Sequence, residues 1–301
     1  MAFLFDIKRY SINDGPGVRI TIFFKGCPLA CRWCHNPESV SFRTEKLYNR
    51  DKCIGCGSCV VVCPEKALTL TADEGITTDF TRCTLCGKCA DVCPTNAVEM
   101  SGRDYSEDEI MAAILKETHI MDNSGGGVTF SGGEPLMHPR ELKSLLIRCG
   151  DSGIHRAVDT SGYVKSTIVA EILPYTDLFL YDLKQMNNYS HRRWTGVDNG
   201  LILQNLRLIA SHDKEYHIRI PLVDGVNSDE ENIGETISFL NGLKNRPSVV
   251  ALLPYHNIAM KKFEKLGKSY QEDGMGKPSD ERVELIRAQF QQQGFNVNIG
   301  G

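Results

Sequence analysis

Eleven of the twelve cysteines in this chain lie between positions 27 and 93, at spacings typical of metal ligands. The apolar run at the N-terminus is broken at Asp6 and has no cleavage site after it, so we expect no signal peptide. Cysteines in such a chain are expected to be reduced and metal-bound, not paired in disulfides. Without an export signal we expect a cytoplasmic protein, and because metal-bound thiolate sites of this kind are sensitive to oxygen, we expect an anaerobic setting.

Three cysteines, Cys27, Cys31 and Cys34, form a C-x3-C-x2-C loop after the apolar run 18–24. Thiolates bind soft metals and iron–sulfur clusters. A cubane cluster has four irons, so three cysteines leave one iron open to a substrate, as a catalytic metal site requires. The alternative is a Cys3His zinc site that includes His35. Adjacent Cys34 and His35 would be awkward ligands for one tetrahedron, which disfavours zinc.

Residues 53–93 contain an internal repeat, because four cysteines and a following proline recur at an offset of 30. C-x2-C-x2-C-x3-C-P is the bacterial ferredoxin spacing, in which the fourth cysteine binds the other cluster. A pair of zinc ribbons would not require four matched spacings. The first cluster is therefore assigned to Cys53, Cys56, Cys59 and Cys93. The second is assigned to Cys83, Cys86, Cys89 and Cys63.

The length of 301 residues suits one large α/β barrel-type domain with a small insertion. A net charge of −4 argues against a nucleic-acid partner, which usually requires a basic surface. No stretch is long and apolar enough for a transmembrane helix, so no membrane association is expected.

From about residue 104, strands and helices alternate, which predicts a parallel sheet with right-handed crossovers. Ser106 and Glu109 form a capping box that opens the first helix, and Cys149 lies on the apolar stripe of the second as a core residue. Periodicity alone does not separate a barrel from a doubly wound sheet. The predicted strands are 18–24, 128–130, 156–159, 177–182, 216–223 and 249–253. The later predicted helices are 166–173, 201–211, 229–242 and 280–293.

Polar residues follow or end each predicted strand, where parallel β/α proteins gather their active sites. They are Ser131, Gly132, Gly133 and Glu134, then Asp159 and Ser161, then Asp182 and Lys184, then Arg219, and finally His256. Each is a weak signal alone. Together, above a cysteine loop on the first strand, they predict one site.

The cysteine loop, with Trp33 just before its third cysteine, resembles the signature of radical S-adenosylmethionine (SAM) enzymes. Asp14, Gly15, Pro16 and Gly17, which precede it, resemble the partner-facing loop of glycyl-radical-enzyme activating enzymes, and the resemblance covers nearly the whole chain. It implies an α/β fold, a partial (β/α)6 radical SAM barrel with an inserted bacterial-ferredoxin-like 2[4Fe–4S] domain. The core would comprise 1–43 and 101–301, and the insert 44–100, with motifs at about 44–73 and 74–100.

The resemblance also implies the SAM contacts. Gly132, Gly133 and Glu134 would contact the methionyl amino group, for which Asp159 and Ser161 are further acceptors. Lys184 is the first choice for the methionyl carboxylate and Arg219 the second, because both are cations. Asp182 or His256 would bind the ribose, and Trp33 and His35 would lie against SAM.

The implied function is that of an activase. Reductive cleavage of SAM gives methionine and a 5′-deoxyadenosyl radical, which abstracts hydrogen from a glycine of a partner glycyl radical enzyme. The implied cofactors are three [4Fe–4S] clusters and SAM, and the implied electron donor is a flavodoxin or ferredoxin. Two alternatives remain, a radical SAM enzyme with a small-molecule or peptide substrate and an electron-transfer protein of the ferredoxin type.

Overall fold

The computed structural model describes residues 1–270 and 274–300. Its strands in the core are β1 (Ala2–Ser11), β2 (Arg19–Phe24), β7 (Arg103–Tyr105), β8 (Gly127–Gly132), β9 (Arg156–Thr160), β10 (Leu178–Asp182), β11 (Glu215–Leu222), β12 (Val249–Pro254) and β13 (Val297–Ile299). The strands between β2 and β7 are β3 (Glu45–Tyr48), β4 (Leu68–Thr71), β5 (Gly75–Thr78) and β6 (Val98–Ser101).

Two short helices lie in the insert, α1 (Ser58–Val62) and α2 (Lys88–Asp91). The core helices are α3 (Glu107–Leu115), α4 (Thr118–Ser124), α5 (Pro139–Asp151), α6 (Ser166–Ile172), α7 (Asn188–Thr195), α8 (Gly200–Ser211), α9 (Glu230–Asn241), α10 (Met260–Lys265) and α11 (Asp280–Gln292). The capping box predicted at Ser106 and Glu109 is present at the start of α3.

The core is built on one nine-stranded sheet in the order β13-β12-β11-β10-β9-β8-β2-β1-β7. The neighbouring strands from β2 across to β13 are all parallel, while β1 is antiparallel to both of its neighbours, β2 and β7. The parallel strands follow one another in chain order without the reversal of a doubly wound sheet. Right-handed crossovers then place the helices on one face, as in a barrel. The sheet has two free ends, so the predicted partial, open α/β barrel is confirmed.

All six predicted strands and the predicted helices of the core are present, with ends shifted by a few residues. The strands are buried along most of their length, because helices cover one face and the barrel interior the other. The sequence prediction missed the two edge strands β13 and β7, the strand β1 next to β7, and the helices α4, α7 and α10.

The insert repeats in structure as it does in sequence. Helix α2 begins 30 residues after α1, as β5 does after β3 and β6 after β4. The strands pair across the two halves, β3 with β6 and β4 with β5, so neither half is a separate sheet. The Thr44 hydroxyl donates to the Gly102 carbonyl at 2.9 Å, so the two ends of the insert lie side by side on the core.

Candidate active site

The cysteine loop (residues 26–36) follows the carboxyl end of β2 and is held by backbone hydrogen bonds. The Cys27 N–H donates to the Val40 carbonyl at 3.0 Å, and the Ala30 N–H donates to the Thr195 carbonyl, at the end of α7, at 2.8 Å. The buried Lys25 amine beneath the loop forms an ion pair with Glu45 at 2.9 Å. The loop is therefore fixed at both ends by distant parts of the chain.

The two glycines after β8 allow the next loop to pass against the cysteine loop. The Gly133 N–H donates to the Phe24 carbonyl at 2.8 Å, and a Cβ on Gly133 would lie 2.3 Å from the Gly26 carbonyl oxygen. Gly132 has a φ of +118°, where a side chain is strained. The packing and conformation of the backbone are therefore enough to require glycine at both positions, independently of any ligand.

Glu134 is fully buried, and its carboxylate is occupied by the protein. Oε1 accepts from the Thr160 hydroxyl at 2.6 Å and the Leu136 N–H at 3.2 Å. Oε2 accepts from the Ser161 N–H at 2.9 Å and the Ser161 hydroxyl at 2.5 Å. The carboxylate thus ties the loop after β8 to the loop after β9, which leaves the loop backbone and Ser131 as the groups able to face a ligand.

The charged row (Ser131, Asp159, Arg219, Asp182 and Lys184) crosses the ends of four neighbouring strands. The Ser131 hydroxyl donates to Asp159 Oδ2 at 2.7 Å, and Arg219 Nη1 lies 2.9 Å from the same oxygen. Arg219 Nε lies 3.8 Å from Asp182 Oδ1, and Lys184 Nζ donates to Asp182 Oδ2 at 2.6 Å. Positive and negative groups therefore alternate along the row.

This row has unused hydrogen-bonding capacity. Asp182 Oδ1 and the Nε and Nη1 atoms of Arg219 are buried and make no hydrogen bond within the described structure. The 2.9 Å contact of Arg219 Nη1 with Asp159 is an ion pair whose N–H is not aligned for a hydrogen bond. Buried polar groups normally have partners, so unfilled donors and an acceptor suit a ligand with both charges. The amino and carboxylate groups of a methionyl moiety fit this description.

Charge is retained on the row despite burial. Burial favours the neutral amine of Lys184, but Asp182 and the Cys31 thiol raise its pKa above the ordinary value. Burial raises the pKa of Asp159 to about 6, although Arg219 opposes the shift. At neutral pH both groups are therefore charged.

The three loop thiols present the chemistry of a cluster site with an open iron. Burial raises the pKa of Cys27 and Cys34 above the ordinary value and that of Cys31 to about 12. Metal binding requires these thiols to lose their protons. Across residues 1–270 and 274–300, no three His, Cys, Asp or Glu side chains converge closely enough to hold a single metal ion.

Aromatic side chains cover the loop. Trp33, Trp194 and Tyr255 are buried in one cluster, with Cys31 packed against it. His35 stacks on His256 with ring centroids 4.6 Å apart, so these two predicted SAM residues lie together at the loop. Such a wall keeps water away from the cysteines.

The loop formed by Asp14, Gly15, Pro16 and Gly17 lies at the opposite, amino end of β2. The Thr21 hydroxyl donates to Asp14 Oδ2 at 2.7 Å, and the Thr129 hydroxyl donates to the Asp14 carbonyl at 2.6 Å. Gly17 has a φ of +67° and its Cβ would lie 2.5 Å from Gly126 N, so a side chain does not fit there.

The insert contains two cavities that divide the remaining eight metal-spaced cysteines. One is lined by Cys63, Cys83, Cys86 and Cys89. The other is lined by Cys53, Cys56, Cys59 and Cys93. The Ala67 N–H donates to Cys63 Sγ at 3.3 Å and the Ala97 N–H to Cys93 Sγ at 3.2 Å, at equivalent positions of the repeat. Four thiols per cavity suit a [4Fe–4S] cluster.

Three family models match overlapping parts of the chain. Residues 80–239 match the radical SAM superfamily, 52–97 a 4Fe-4S dicluster domain, and 13–64 a 4Fe-4S single cluster domain. The chain is 42% identical to the trans-4-hydroxy-L-proline dehydratase activating enzyme of Clostridioides difficile, with 98% of each chain covered. It is 37% identical to the choline trimethylamine-lyase activating enzyme of Oleidesulfovibrio alaskensis, over 99% of this chain and 97% of the relative.

The chain belongs to the glycyl-radical-enzyme activating enzymes of the radical SAM superfamily. Among solved structures, a domain of pyruvate-formate lyase-activating enzyme from Bacteroides vulgatus is 42% identical, with a TM-score of 0.51, and covers 58% of this chain and 99% of that one. The radical SAM match begins inside the insert, while the single cluster match contains all three loop cysteines, because the insert divides the core in sequence.

The activating enzyme uses SAM and iron–sulfur clusters to install a radical in a partner glycyl radical enzyme. The two alternatives, a small-molecule substrate and simple electron transfer, are set aside. No helix in the described residues is long and apolar enough to cross a membrane. The sequence analysis did not identify Trp194, which lies on α7 and covers the cysteine loop. The segment around it has no clear apolar periodicity, so the tryptophan itself was the only indication of a buried position.

Proposed function

We propose that this activating enzyme carries three [4Fe–4S] clusters, one that binds SAM and two in an insert spanning residues 44–100. The SAM cluster would be held by Cys27, Cys31 and Cys34, and the insert clusters by the two four-cysteine sets described above. The observation that carries the proposal is the separation of eleven thiols into one set of three at the strand ends and two sets of four in cavities.

The bound cluster supplies the electron for reductive cleavage of SAM. Lys184, with Asp182 beside it, would hold the methionyl carboxylate, and the unfilled positions of Arg219 would add a second cation. Ser131, Asp159 and the backbone of Gly132 and Gly133 would accept from the amino group. His256, stacked on His35, would border the adenosine side, for which Asp182 is the second ribose candidate.

The remaining residues shape the space between SAM and the partner. Trp33, Trp194 and Tyr255 would exclude water, which protects a reactive radical from side reactions. Asp14 lies in the loop at the amino end of β2 and would contact the backbone around the partner glycine. Ser161 would act through Glu134, by fixing the loop after β9.

The partner is a glycyl radical enzyme, and we propose a dehydratase, lyase or decarboxylase of the kind that the relatives activate. A flavodoxin or ferredoxin would supply electrons, in an anaerobic cytoplasm. Each of the three named partner types, trans-4-hydroxy-L-proline dehydratase, choline trimethylamine-lyase and 4-hydroxyphenylacetate decarboxylase, is available as a test substrate.

The test is anaerobic reconstitution followed by iron analysis, 5′-deoxyadenosine assay and electron paramagnetic resonance (EPR) of the partner radical. We expect about twelve irons per chain, from three cubane clusters. We also expect a glycyl radical in one of the three partners. Asp14→Asn should keep 5′-deoxyadenosine formation while the partner radical falls. Iron near four per chain or stoichiometric zinc would contradict the three clusters, and absence of a radical in all three partners would exclude those partner types.

A further inference from the structure

Lys46 is a buried lysine without a carboxylate partner. Three lysines in the described structure are buried, and their exposed fractions are 0% for Lys25, 5% for Lys46 and 9% for Lys184. Lys25 pairs with Glu45 and Lys184 with Asp182. The Lys46 amine donates only to the Thr78 hydroxyl, at 2.6 Å, and forms no ion pair with any described acidic residue. A buried charge is costly unless something nearby compensates for it.

The Lys46 side chain lies beside thiols, because it lines the cavity that contains Cys63, Cys83, Cys86 and Cys89. As thiolates holding a cluster, these four cysteines would compensate for the buried charge. Lys46 is therefore part of the lining of one of the two cavities of the insert.

The two halves of the internal repeat differ at the position of Lys46, because only one of them has a charged residue there. An offset of 30 relates Lys46 on β3 to Ile76 on β5. Ile76 has the same exposed fraction, 5%, and lines the cavity that contains Cys53, Cys56, Cys59 and Cys93. The two cavities share four cysteines and one N–H···S bond to the fourth cysteine of each half, while Glu65 and Lys88 of the first correspond to Thr95 and Ser58 of the second. At one equivalent position, therefore, one cavity has a cation and the other a hydrocarbon.

We propose that Lys46 raises the reduction potential of the cluster held by Cys63, Cys83, Cys86 and Cys89 above that of its repeat partner. This inference rests on the cluster assignment proposed above. One-electron reduction of a [4Fe–4S] cluster adds a negative charge, which a buried cation stabilises, and net charge near the cluster is one determinant of its potential. An electron that enters the insert then resides mainly on the cluster beside Lys46, and the two clusters are unequal steps of an electron path.

The experiment is an EPR-monitored potentiometric titration of the full chain. Cys27, Cys31 and Cys34 are changed to Ala so that only the insert clusters contribute. Lys46→Ile introduces the residue found at the equivalent position, Ile76, of the other half of the repeat. Lys46→Gln removes the charge but keeps a polar side chain, and Lys46→Arg keeps the charge. Lys88 lines the same cavity but is exposed, so Lys88→Gln is the matched control for a solvent-screened charge.

We expect two distinct one-electron couples in the chain with Lys46. In Lys46→Ile and Lys46→Gln, the ratio of reduced to oxidised cluster for the higher couple should fall about tenfold at a fixed potential, equivalent to about 59 mV. Lys46→Arg should retain most of the higher potential, and Lys88→Gln should change it far less.

Failure of the parent chain to hold about eight irons would refute the cluster assignment itself. With eight irons present, unchanged couples in both neutral variants would overturn the role of Lys46, as would an equal shift in Lys88→Gln. Loss of a cluster in both neutral variants, with retention in Lys46→Arg, would assign the charge to assembly and also overturn the proposal.

Discussion

The cysteine loop and the insert both present thiols for clusters, but they are built in opposite ways. The loop depends on distant residues, because α7 holds its backbone and the charged row beside it comes from β8, β9, β10 and β11. The insert takes all eight cysteines from one stretch of the chain and pairs its strands only with one another. One site belongs to the whole core, and the other two belong to a repeat.

The cysteines of the two regions also differ in their exposure to solvent. Burial raises the pKa of Cys31 to about 12 beneath the aromatic wall. In the insert Cys56 and Cys86 are exposed, and hydrogen bonds from Ser58 lower the pKa of Cys56. A radical reaction requires a water-free pocket, whereas electron entry requires a cluster near the surface. The comparison thus separates a site covered by aromatic side chains from two sites that each have an exposed cysteine.

The largest expected effect comes from a thiol of the loop. Cys31→Ala should reduce 5′-deoxyadenosine formation to background, because SAM loses the cluster that binds it. Iron should fall from about twelve to about eight per chain, because the insert clusters assemble independently. Iron analysis and a dithionite-driven cleavage assay measure both values.

Cys149→Ala is the matched control for that variant. Cys149 is fully buried on α5, with its sulfur 3.7 Å from the Met111 sulfur, and lies on the core stripe predicted from the sequence. We expect unchanged iron and cleavage. Appreciable cleavage by Cys31→Ala, or loss of four irons in Cys149→Ala, would contradict the assignment of the SAM cluster to the loop.

The insert and the sheet were the parts most accessible from the sequence, because their signals are local. The offset of 30 that relates the cysteines also relates Glu45–Tyr48 to Gly75–Thr78. Each parallel strand is a short apolar run followed by an amphipathic helix, so alternation alone located six of them. Polar residues at the strand ends then predicted one site.

Contacts between distant segments were not predictable. Glu134 was interpreted as a SAM contact, but its carboxylate binds Thr160 and Ser161, a partnership that only the adjacency of β8 and β9 creates. Strands β1 and β7, at one side of the sheet, lack the alternation that identified the others. Trp194 reaches the cysteine loop only through the packing of α7, and periodicity gives no information about which helix covers which loop.

A second prediction separates the two cluster systems by their electron supply. Cys53→Ala with Cys83→Ala should damage both insert clusters, while SAM still binds at Cys27, Cys31 and Cys34. Dithionite is small enough to reduce the loop cluster directly, so cleavage with it should partly survive. Partner activation driven by flavodoxin or ferredoxin should fall about tenfold or more, equivalent to about 1.4 kcal/mol of activation free energy.

The control is the ratio of the two activities within each variant, measured on protein whose circular dichroism matches the parent chain. Equal losses with both reductants would mean that the insert supports the core structurally. No loss with either would mean that its clusters are dispensable for electron entry. A larger loss with the protein electron donor than with dithionite is the outcome that supports a separate electron path through the insert.

The smallest expected effect tests how the core site is held together. Glu134 accepts a backbone N–H on each oxygen, from Leu136 on Oε1 and from Ser161 on Oε2. Glutamine has one carbonyl oxygen and one amide nitrogen that only donates, so either orientation of Glu134→Gln leaves a buried N–H facing a donor. An unsatisfied buried group costs about 1–3 kcal/mol, so the urea midpoint of the core should fall accordingly.

Glu171→Gln is the matched control, since Glu171 forms an exposed pair with Lys143 and should leave the urea midpoint unchanged. SAM affinity should weaken only in Glu134→Gln, because the loops after β8 and β9 lose their tie, whereas the visible absorbance of the insert clusters should not change. A stable Glu134→Gln with parental SAM affinity would show that the carboxylate is not a structural tie. Loss of insert absorbance in the same variant would show that the core and the insert are coupled more tightly than their separate construction implies.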